Sequence, residues 1–457
     1  DPAPLRDIEQ RAREQGGTSL AQTLRDLDLE GQGRGEPGRG WPMRPSDAFF
    51  VHVDTPLRRQ ELGAVVELDG RVDLRRAREQ LRGRVHGLPP LRRRLVRGPV
   101  PSWRSTRTDP AACVSEVVVP PGGVEDAVDQ FWSEPMPGDG PAWQLRLVST
   151  HSGDRALFVV KMHHSLGDGV SALGLMDRFL DPSPDDPLLE RRPAPHHGGR
   201  TTARASVRAG GKVATGLASL AVRGFAPRHP MGARPQSARR TVVQQVVPAD
   251  RLRALCRATG AHLHEVVLAV VGETLARSLS GTGLVDPGRP LRVMVPVAVR
   301  RPRLDRVFGN WTGAVALDLD LRPGGFATRL DQVRREVRRC TRRGEPQAAH
   351  LVMQVMGHLP APLRGPAARL VYASRFFGAI VSFMPAARGE RWFAGAKVRS
   401  ICPVVPLGEG IPLGVGVVVS GGSAAFGFLL DRELGVSRAG LASALDRVLA
   451  DAVAEVG

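Results

Sequence analysis

The chain has 457 residues, enough for two domains that each have a core. Hydrophobic residues make up 42%, and glycine (52) and proline (38) are frequent, which fits a globular α/β protein with many turns. No apolar run is long enough to predict a transmembrane helix, and we expect no signal peptide at the N-terminus. The cysteines are far apart and form no CxxC pair. We interpret them as structural thiols in a reducing compartment and predict no metal site.

The positive charge is unevenly distributed. The net charge is +18, and residues 191–240 contain ten arginines, one lysine and no acidic residue, so that segment alone carries +11. Nucleic acid, an anionic membrane surface and a polyanionic cosubstrate such as coenzyme A would all attract it. Nucleic acid is disfavoured, because no zinc-finger, RNP or helix-turn-helix signature accompanies the charge. A solvated linker without a partner is a further interpretation.

The first third of the chain predicts a flexible lead-in followed by a mixed sheet. Residues 1–40 are polar and rich in glycine and arginine. Residues 41–181 alternate strand-like and helical patterns, which predicts a first domain with helices packed on a sheet. The predicted strands are Ala64–Leu68, Val114–Val119, Gln144–Val148 and Ala156–Met162, and the predicted helices are Asp73–Val85, Val124–Phe131 and Ser171–Phe179.

A crossover and a second domain follow. Residues 182–240 are rich in Pro, Gly, Ala and Arg, and residues 203–225 fit a basic amphipathic helix that lies on a membrane or packs on the protein. Residues 241–457 are expected to form the second domain. Its predicted strands are Val242–Val247, Leu291–Val299, Trp311–Leu319, Ile380–Phe383, Gly414–Ser420 and Ala424–Leu429, and its helices are Ala249–Thr259, Glu265–Leu279, Arg329–Arg343 and Arg438–Val456.

The sequence from His163 to Gly169 reads HHxxxDG and lies between a predicted strand and a predicted helix. Neighbouring residues of an extended segment point to opposite sides, so one histidine can face a cavity while the other is buried, and the pair is poorly placed to chelate one metal. A neutral imidazole can take a proton from an alcohol or amine near pH 7. Asp168 can cap the helix or pair with a cation, and Gly169 permits a positive φ or a close backbone approach. The alternative is a polar strand end with two hydrogen-bonded histidines.

The HHxxxDG motif resembles the active-site signature of the coenzyme A-dependent acyltransferase superfamily, which includes chloramphenicol acetyltransferase and nonribosomal condensation domains. Further blocks, in order along the chain, resemble bacterial wax ester synthase/diacylglycerol acyltransferases. These blocks are Pro45–Gly70, Leu88–Leu95, Ala142–Gln144 (family PLW), Val295–Arg300 (VPVSxR), Gly309 with Asn310 (GN), Ser382–Pro385 with Phe393–Ala396 (SNVPGP and LAGA), and Phe426–Phe428 with Asp431 and Arg432.

The resemblance implies an α/β fold of the α+β type, with two chloramphenicol acetyltransferase-like lobes, each a mixed sheet with helices, around a central channel. Acyl-CoA would be the co-substrate and a long-chain alcohol or diacylglycerol the acceptor, giving a wax ester or triacylglycerol without a bound cofactor or metal.

The same resemblance assigns roles to single residues. His164 would be the general base beside His163, and Asp168 would hold the loop through an ion pair. Asn310, after Gly309, would be a channel residue or oxyanion-side donor, or else a turn asparagine. Further candidates for the channel are Asp47, Ser382 and His264, and the alternative for His264 is a histidine that faces water at the start of a helix.

Four blocks depart from the family pattern, at Gln60–Gly63 (MHVG), His264–Val266 (NDV), Ser382–Ala387 (SNVPGP) and Ser420–Gly421 (SY). Several of these positions line the channel in the family, so the acceptor stays open. One alternative is a tailoring acyltransferase of a specialised metabolite, with another alcohol or an amine as acceptor or with a carrier-bound donor. Another is a non-catalytic lipid-binding relative. We expect a cytoplasmic protein, peripheral at the inner membrane or at lipid bodies, with the 191–240 segment contacting anionic lipid or coenzyme A.

Overall fold

The computed structural model describes residues 40–86, 88–182, 215–216, 218–219, 229–286, 288–298, 309–322, 324–374, 376–385, 389–420 and 422–456. The predicted lead-in and most of the basic segment 191–240 therefore lie outside the described residues, as does most of the predicted helix at 203–225. The described residues of that helix, 215–216 and 218–219, are helical. Ser219 among them is buried, and its hydroxyl donates to Glu345 Oε1 at 2.8 Å, so this part of the crossover packs on the protein.

The described strands are β1 (Gly40–Pro42), β2 (Glu61–Leu68), β3 (Arg93–Val96), β4 (Ser102–Ser105), β5 (Val114–Val119), β6 (Trp143–Thr150), β7 (Ala156–His163), β8 (Asp181–Pro182), β9 (Arg240–Pro248), β10 (Leu291–Ala298), β11 (Thr312–Leu319), β12 (Ala379–Pro385), β13 (Arg391–Phe393), β14 (Ala396–Val404), β15 (Leu413–Ser420) and β16 (Ser423–Asp431). The described α-helices are α1 (Pro45–Val53), α2 (Leu74–His86), α3 (Val124–Ser133), α4 (Gly169–Asp177), α5 (Pro230–Ala233), α6 (Ala249–Thr259), α7 (Leu263–Leu279), α8 (Gly325–Arg342), α9 (Glu345–Met356), α10 (Ala361–Val371) and α11 (Arg438–Val456).

The first lobe is built on a seven-stranded mixed sheet with the order β5-β6-β7-β2-β14-β13-β8. All eight residues of β7 are buried, because both faces of the sheet are covered. Phe158 and Val160 pack with α2 and α4 on one face. Leu157 and Val159 pack with α3 and with strands of the second lobe on the other. The alternation along β7 therefore places one face of the first sheet against the second lobe.

The second lobe is built on a six-stranded mixed sheet with the order β11-β10-β12-β15-β16-β9. Its largest core lies between this sheet and the helices α6, α7, α8 and α11. Helix α7 is apolar nearly all round because it is covered on several sides. These two lobes of sheet and helix confirm the expected fold class.

One segment from the C-terminal half of the chain lies in the first lobe. Strand β14 comes from the C-terminal half of the chain, yet it pairs antiparallel with β2 in the first sheet, from Val398 opposite Leu68 to Val404 opposite Gly63. The predicted division into residues 41–181 and 241–457 therefore needs a correction, since residues 391–404 lie in the first lobe. The pairing joins residues more than 300 positions apart, which no local pattern indicates.

Four of the described helices are absent from the sequence prediction: the single turn α5, and α1, α9 and α10. Helix α1 starts with Pro45 in its first turn and has seven buried residues among nine, so it shows no polar face. Helix α10 contains Pro366 in its interior, and α9 and α10 are joined by a Gly-His-Leu-Pro turn. These features are typical of loops, and packing overrides them here. Among the described residues no single helix is long and apolar enough to cross a membrane. Helices α6 and α7 are long and apolar enough only when taken together, and the chain bends by 109° between them.

Candidate active site

The HHxxxDG motif lies where the first sheet meets the second lobe. Strand β7 ends at His163, a short 3-10 helix covers His164–Leu166, and α4 begins at Gly169. Asp168 caps α4, with its Oδ1 accepting the Ser171 amide at 2.9 Å. A Cβ on Gly169 would lie 2.5 Å from Met384 Sδ, so a larger residue there would have to displace the Met384 side chain.

His163 is buried and supports the loop. Its Nδ1 accepts the backbone N–H of Ser165 at 3.1 Å, which leaves the proton of the neutral ring on Nε2, 3.5 Å from Asp54 Oδ2. Burial alone would raise the pKa of Asp54, but His163 and Arg97 outweigh burial and lower it. Asp54 also accepts the Gln60 amide at 2.7 Å, so His163 ties the motif to the segment that precedes β2.

His164 is half-buried and lines a cavity between the lobes. Its ring stacks on Phe50 of α1, with centroids 3.6 Å apart and planes 9° from parallel. Burial lowers the pKa of His164 to about 4, although Asp168 and Asn310 act in the opposite direction. The imidazole is therefore neutral near pH 7, the state that a general base requires.

Asn310 fixes the tautomer of His164. Asn310 Nδ2 donates to Asp47 Oδ1 and to the backbone oxygen of His164, both at 2.8 Å. Both partners can only accept, so the amide oxygen must face the ring, and Asn310 Oδ1 lies 2.9 Å from His164 Nδ1. Nδ1 consequently carries the proton, and Nε2 keeps its lone pair for a substrate proton.

Asp168 joins the lobes at the same point. Its Oδ2 accepts the Trp311 amide at 2.9 Å and the Thr312 hydroxyl at 3.0 Å, both at the start of β11. Its own backbone N–H donates to Gly309 O at 3.2 Å. Asp168 thus holds the loop against the second lobe, while the ion pair expected for it stays a prediction.

The cavity measures about 530 Å³ and is mainly apolar. That volume is in the range of pockets that hold small-molecule ligands. Both lobes line the cavity. Its wall includes Phe50, Met176, Met294, Val315, Met353 and Tyr372. A mainly apolar cavity with a neutral imidazole in its wall suits proton transfer to and from an apolar substrate.

Comparisons with known proteins match this geometry. Residues 43–222 match the wax ester synthase/diacylglycerol acyltransferase catalytic domain, and residues 308–451 match the C-terminal domain of the same family. The chain belongs to the wax ester synthase/diacylglycerol acyltransferase family. It is therefore an acyltransferase.

The relatives of this wax ester synthase/diacylglycerol acyltransferase family member include two proteins of Mycobacterium tuberculosis named as diacylglycerol O-acyltransferases. One is 26% identical over 447 residues, covering 86% of this chain and 85% of the relative. The other is 25% identical over 335 residues, covering 68% and 73%.

Solved structures share the fold. The wax ester synthase/diacylglycerol acyltransferase from Marinobacter aquaeolei is 20% identical with a TM-score of 0.66, covering 91% of this chain and all of that one. A condensation domain of the calcium-dependent antibiotic synthetase is 19% identical with a TM-score of 0.61, covering 92% and 96%. The starter condensation domain of rhizomide synthetase, solved with C8-CoA and Leu-SNAC, is 15% identical with a TM-score of 0.56, covering 91% and 94%.

The remaining candidates from the family pattern have different places. Ser382 on β12 lines the cavity. Asp47 and Gly309 lie behind Asn310 and do not line the cavity wall. Both side-chain amide hydrogens of Asn310 donate to protein groups, which favours a role for Asn310 in positioning His164 over a role as oxyanion donor. His264 is exposed at the start of α7, stacked on His262, and is not a channel residue.

Most of the cavity wall was not predicted, and Phe50 and Tyr372 are examples. Phe50 and Tyr372 come from unpredicted helices or their ends, and both line the cavity. The Phe49-Phe50 pair within the first family block was the available signal.

The described residues contain no group of three or more His, Cys, Asp or Glu that could hold a metal ion. Burial raises the pKa of the Cys113 and Cys402 thiols to about 12, so neither is a reactive thiolate.

Proposed function

We propose that this protein esterifies the hydroxyl group of an apolar acceptor, a diacylglycerol or long-chain alcohol, with an acyl group from acyl-CoA. The observation that carries this proposal is the neutral His164, oriented by Asn310 and open to a large apolar cavity. Support for the donor comes from the starter condensation domain of the same fold that was solved with C8-CoA. Support for the acceptor comes from the names of the mycobacterial relatives.

The reaction is a direct transfer. His164 Nε2 takes the proton of the acceptor hydroxyl while the oxygen attacks the thioester carbonyl carbon. The tetrahedral intermediate collapses with cleavage of the C–S bond, and His164 returns the proton to the departing thiolate. The products are an ester and free coenzyme A, and the enzyme ends in its starting protonation state.

A second candidate is a tailoring acyltransferase whose acceptor carries a polar group. Arg292 lines the mainly apolar cavity, and its Nε donates to Asp318 Oδ1, which lies outside the cavity wall, at 2.7 Å. A charged side chain in the wall would suit an acceptor with a polar substituent better than a plain hydrocarbon. For either candidate we propose a cytoplasmic enzyme at a membrane or lipid-body surface, consistent with the four unpaired cysteines.

The test uses purified protein, a series of acyl-CoA donors and a panel of diacylglycerols, long-chain alcohols and polar alcohols. Thiol release and ester formation are measured together. His164→Ala should lower the rate at least about a hundredfold. The matched control is His264→Ala, an exposed histidine away from the cavity, which should keep the wild-type rate. Equal rates for wild type and His164→Ala would refute the assignment, and ester formation only with polar acceptors would favour the second candidate.

A further inference from the structure

Helices α9 and α10 form a hairpin that is part of the cavity wall. Val352 and Met353 of α9 line the cavity from inside, as do Val371 at the end of α10 and Tyr372 after it. Helix α9 also exposes Val355, so this helix reaches both the cavity and the outer surface.

The outer side of this hairpin is apolar. The described residues include eight exposed large hydrophobic side chains, and three of them, Val355, Leu363 and Leu370, lie on the hairpin, each more than half exposed. A fourth, Val100, borders a small cleft with Met356, Arg364 and Ala368 of the same hairpin. Leu363 and Leu370 are seven positions apart and share a face of α10. We call Val355, Leu363 and Leu370 the hairpin patch. Scattered exposed hydrophobic residues are ordinary, but exposed leucines repeated on one face of a helix that also forms part of the cavity wall favour an interaction surface.

The hairpin itself has a positive surface, because its acidic residue Glu345 is buried. The sequence contains no Asp or Glu between Pro346 and Gly389, and it contains four arginines there. Two of them, Arg364 and Arg369, lie on α10, and Arg369 is exposed. Apolar side chains inserted at an interface, with arginines beside them, are the combination that binds an anionic bilayer surface.

We propose that the hairpin patch docks the protein on an anionic lipid surface. The apolar substrate then passes from the bilayer into the cavity beside the hairpin, without crossing water. This second step rests on the proposed function, whereas the docking does not.

The experiment measures binding of the full chain to vesicles of phosphatidylcholine alone and of phosphatidylcholine with phosphatidylglycerol, by co-sedimentation over a salt series. Wild type should bind the anionic vesicles, with less binding as salt rises. Leu363→Gln/Leu370→Gln should bind at least about tenfold more weakly, because two leucines no longer enter the interface. Glutamine is a strong helix former and both positions are exposed, so α10 should keep its fold. Val453→Gln on α11, a partly exposed valine far from the hairpin, is the matched control and should bind as wild type does.

Turnover separates docking from chemistry. The Leu363→Gln/Leu370→Gln variant should keep the wild-type rate with short, water-soluble acyl-CoA and alcohol, and lose rate only when the acceptor is supplied in vesicles. If circular dichroism shows that the double variant is unfolded, Leu370→Gln alone takes its place.

Three results would overturn the proposal: wild type that ignores anionic vesicles, variants that bind like wild type, or a variant that changes oligomeric state in light scattering while lipid binding persists. The last result would make the hairpin patch a contact between copies of this chain. Loss of vesicle binding by the variant in a protein without any acyltransferase activity would sustain the docking and refute the proposed function.

Discussion

His164 and Asn310 come from opposite halves of the chain, 146 positions apart, and meet with Asn310 Oδ1 2.9 Å from His164 Nδ1. The catalytic imidazole belongs to the first lobe, and the group that sets its tautomer belongs to the second. Asp47 completes the arrangement, because it accepts both the side-chain and the backbone N–H of Asn310. The site therefore exists only when the two lobes are in register.

Asn310→Ala removes the acceptor for the Nδ1 proton of His164. We expect kcat to fall about a hundredfold with little change in KM, because the ring loses its fixed tautomer while the apolar cavity is kept. Steady-state kinetics with one acyl-CoA and one alcohol check this. Asp47→Asn, which keeps an acceptor oxygen but loses the charge, should have a smaller effect in the same direction. A fall in thermal stability with an unchanged kcat would assign Asn310 a purely structural role.

The value of kcat/KM should decline only at acidic pH. His164 acts as a base, so its neutral form is the active one, and burial lowers its pKa to about 4. The kcat/KM should therefore be flat between pH 6 and 8 and decline as the pH falls towards that value. The measurement is kcat/KM from pH 4 to 8, with circular dichroism at each pH as a control for acid unfolding. A limb centred near the ordinary histidine pKa would mean that bulk water reaches the imidazole.

Gly309→Ala should disturb the active site indirectly, by displacing Arg44. Gly309 has φ +133°, and a Cβ there would lie 1.5 Å from Arg44 Nη2. Arg44 would have to leave both Asp47, which its Nε contacts at 2.9 Å, and the face of Trp311. We expect a loss of about 1–2 kcal/mol in unfolding free energy and a clear fall in kcat. Gly281→Ala, also at positive φ but with open space around it, should show the stability loss alone, as measured by urea unfolding and kinetics.

The part of the cavity along β10 and β11 should determine which lengths of substrate chain the enzyme accepts. Thr312, beside Asp168, marks the His164 end, and Ala314 opposite Pro296 and Ala316 opposite Met294 follow along the wall. Ala316 is four residues further than Thr312, about 13 Å along the strand. Ala316→Phe should lower kcat/KM for long chains and spare short ones, whereas Ala314→Phe should affect both. Parallel series of acyl-CoA and alcohol chain lengths show which substrate lies there, and an unchanged profile in both series would place neither substrate along β11.

Periodic segments of the fold followed from the sequence. The predicted bounds Val114–Val119, Ala249–Thr259 and Arg438–Val456 are those observed, because each has a regular pattern and a clear end, such as the left-handed Gly260 after α6. Helix α1 was missed because it is buried on nearly all sides and has no polar face. Strand β14 was not predicted as a strand, and its residues were assigned to the second domain, because its partner β2 is remote in sequence.

The site was predictable in part for the same reason. The local motif at His163 and His164 could be read from consecutive residues, and the structure places His164 at the cavity. The link from Asp47 to Asn310 spans 263 positions, and no local pattern shows which oxygen faces which hydrogen. His264 was a channel candidate by family position alone, and the structure favours the alternative, a histidine exposed to solvent at the start of a helix.

The pairing of β14 with β2 has a consequence for biosynthesis. At about 5–20 residues per second, ribosomes complete β14 tens of seconds after β2. Throughout that interval one edge of a long, apolar strand in the nascent first lobe has no partner. Such an edge invites pairing with other chains. The yield of native enzyme in a cell should therefore depend on translation speed and on chaperones that shield the early half of the chain.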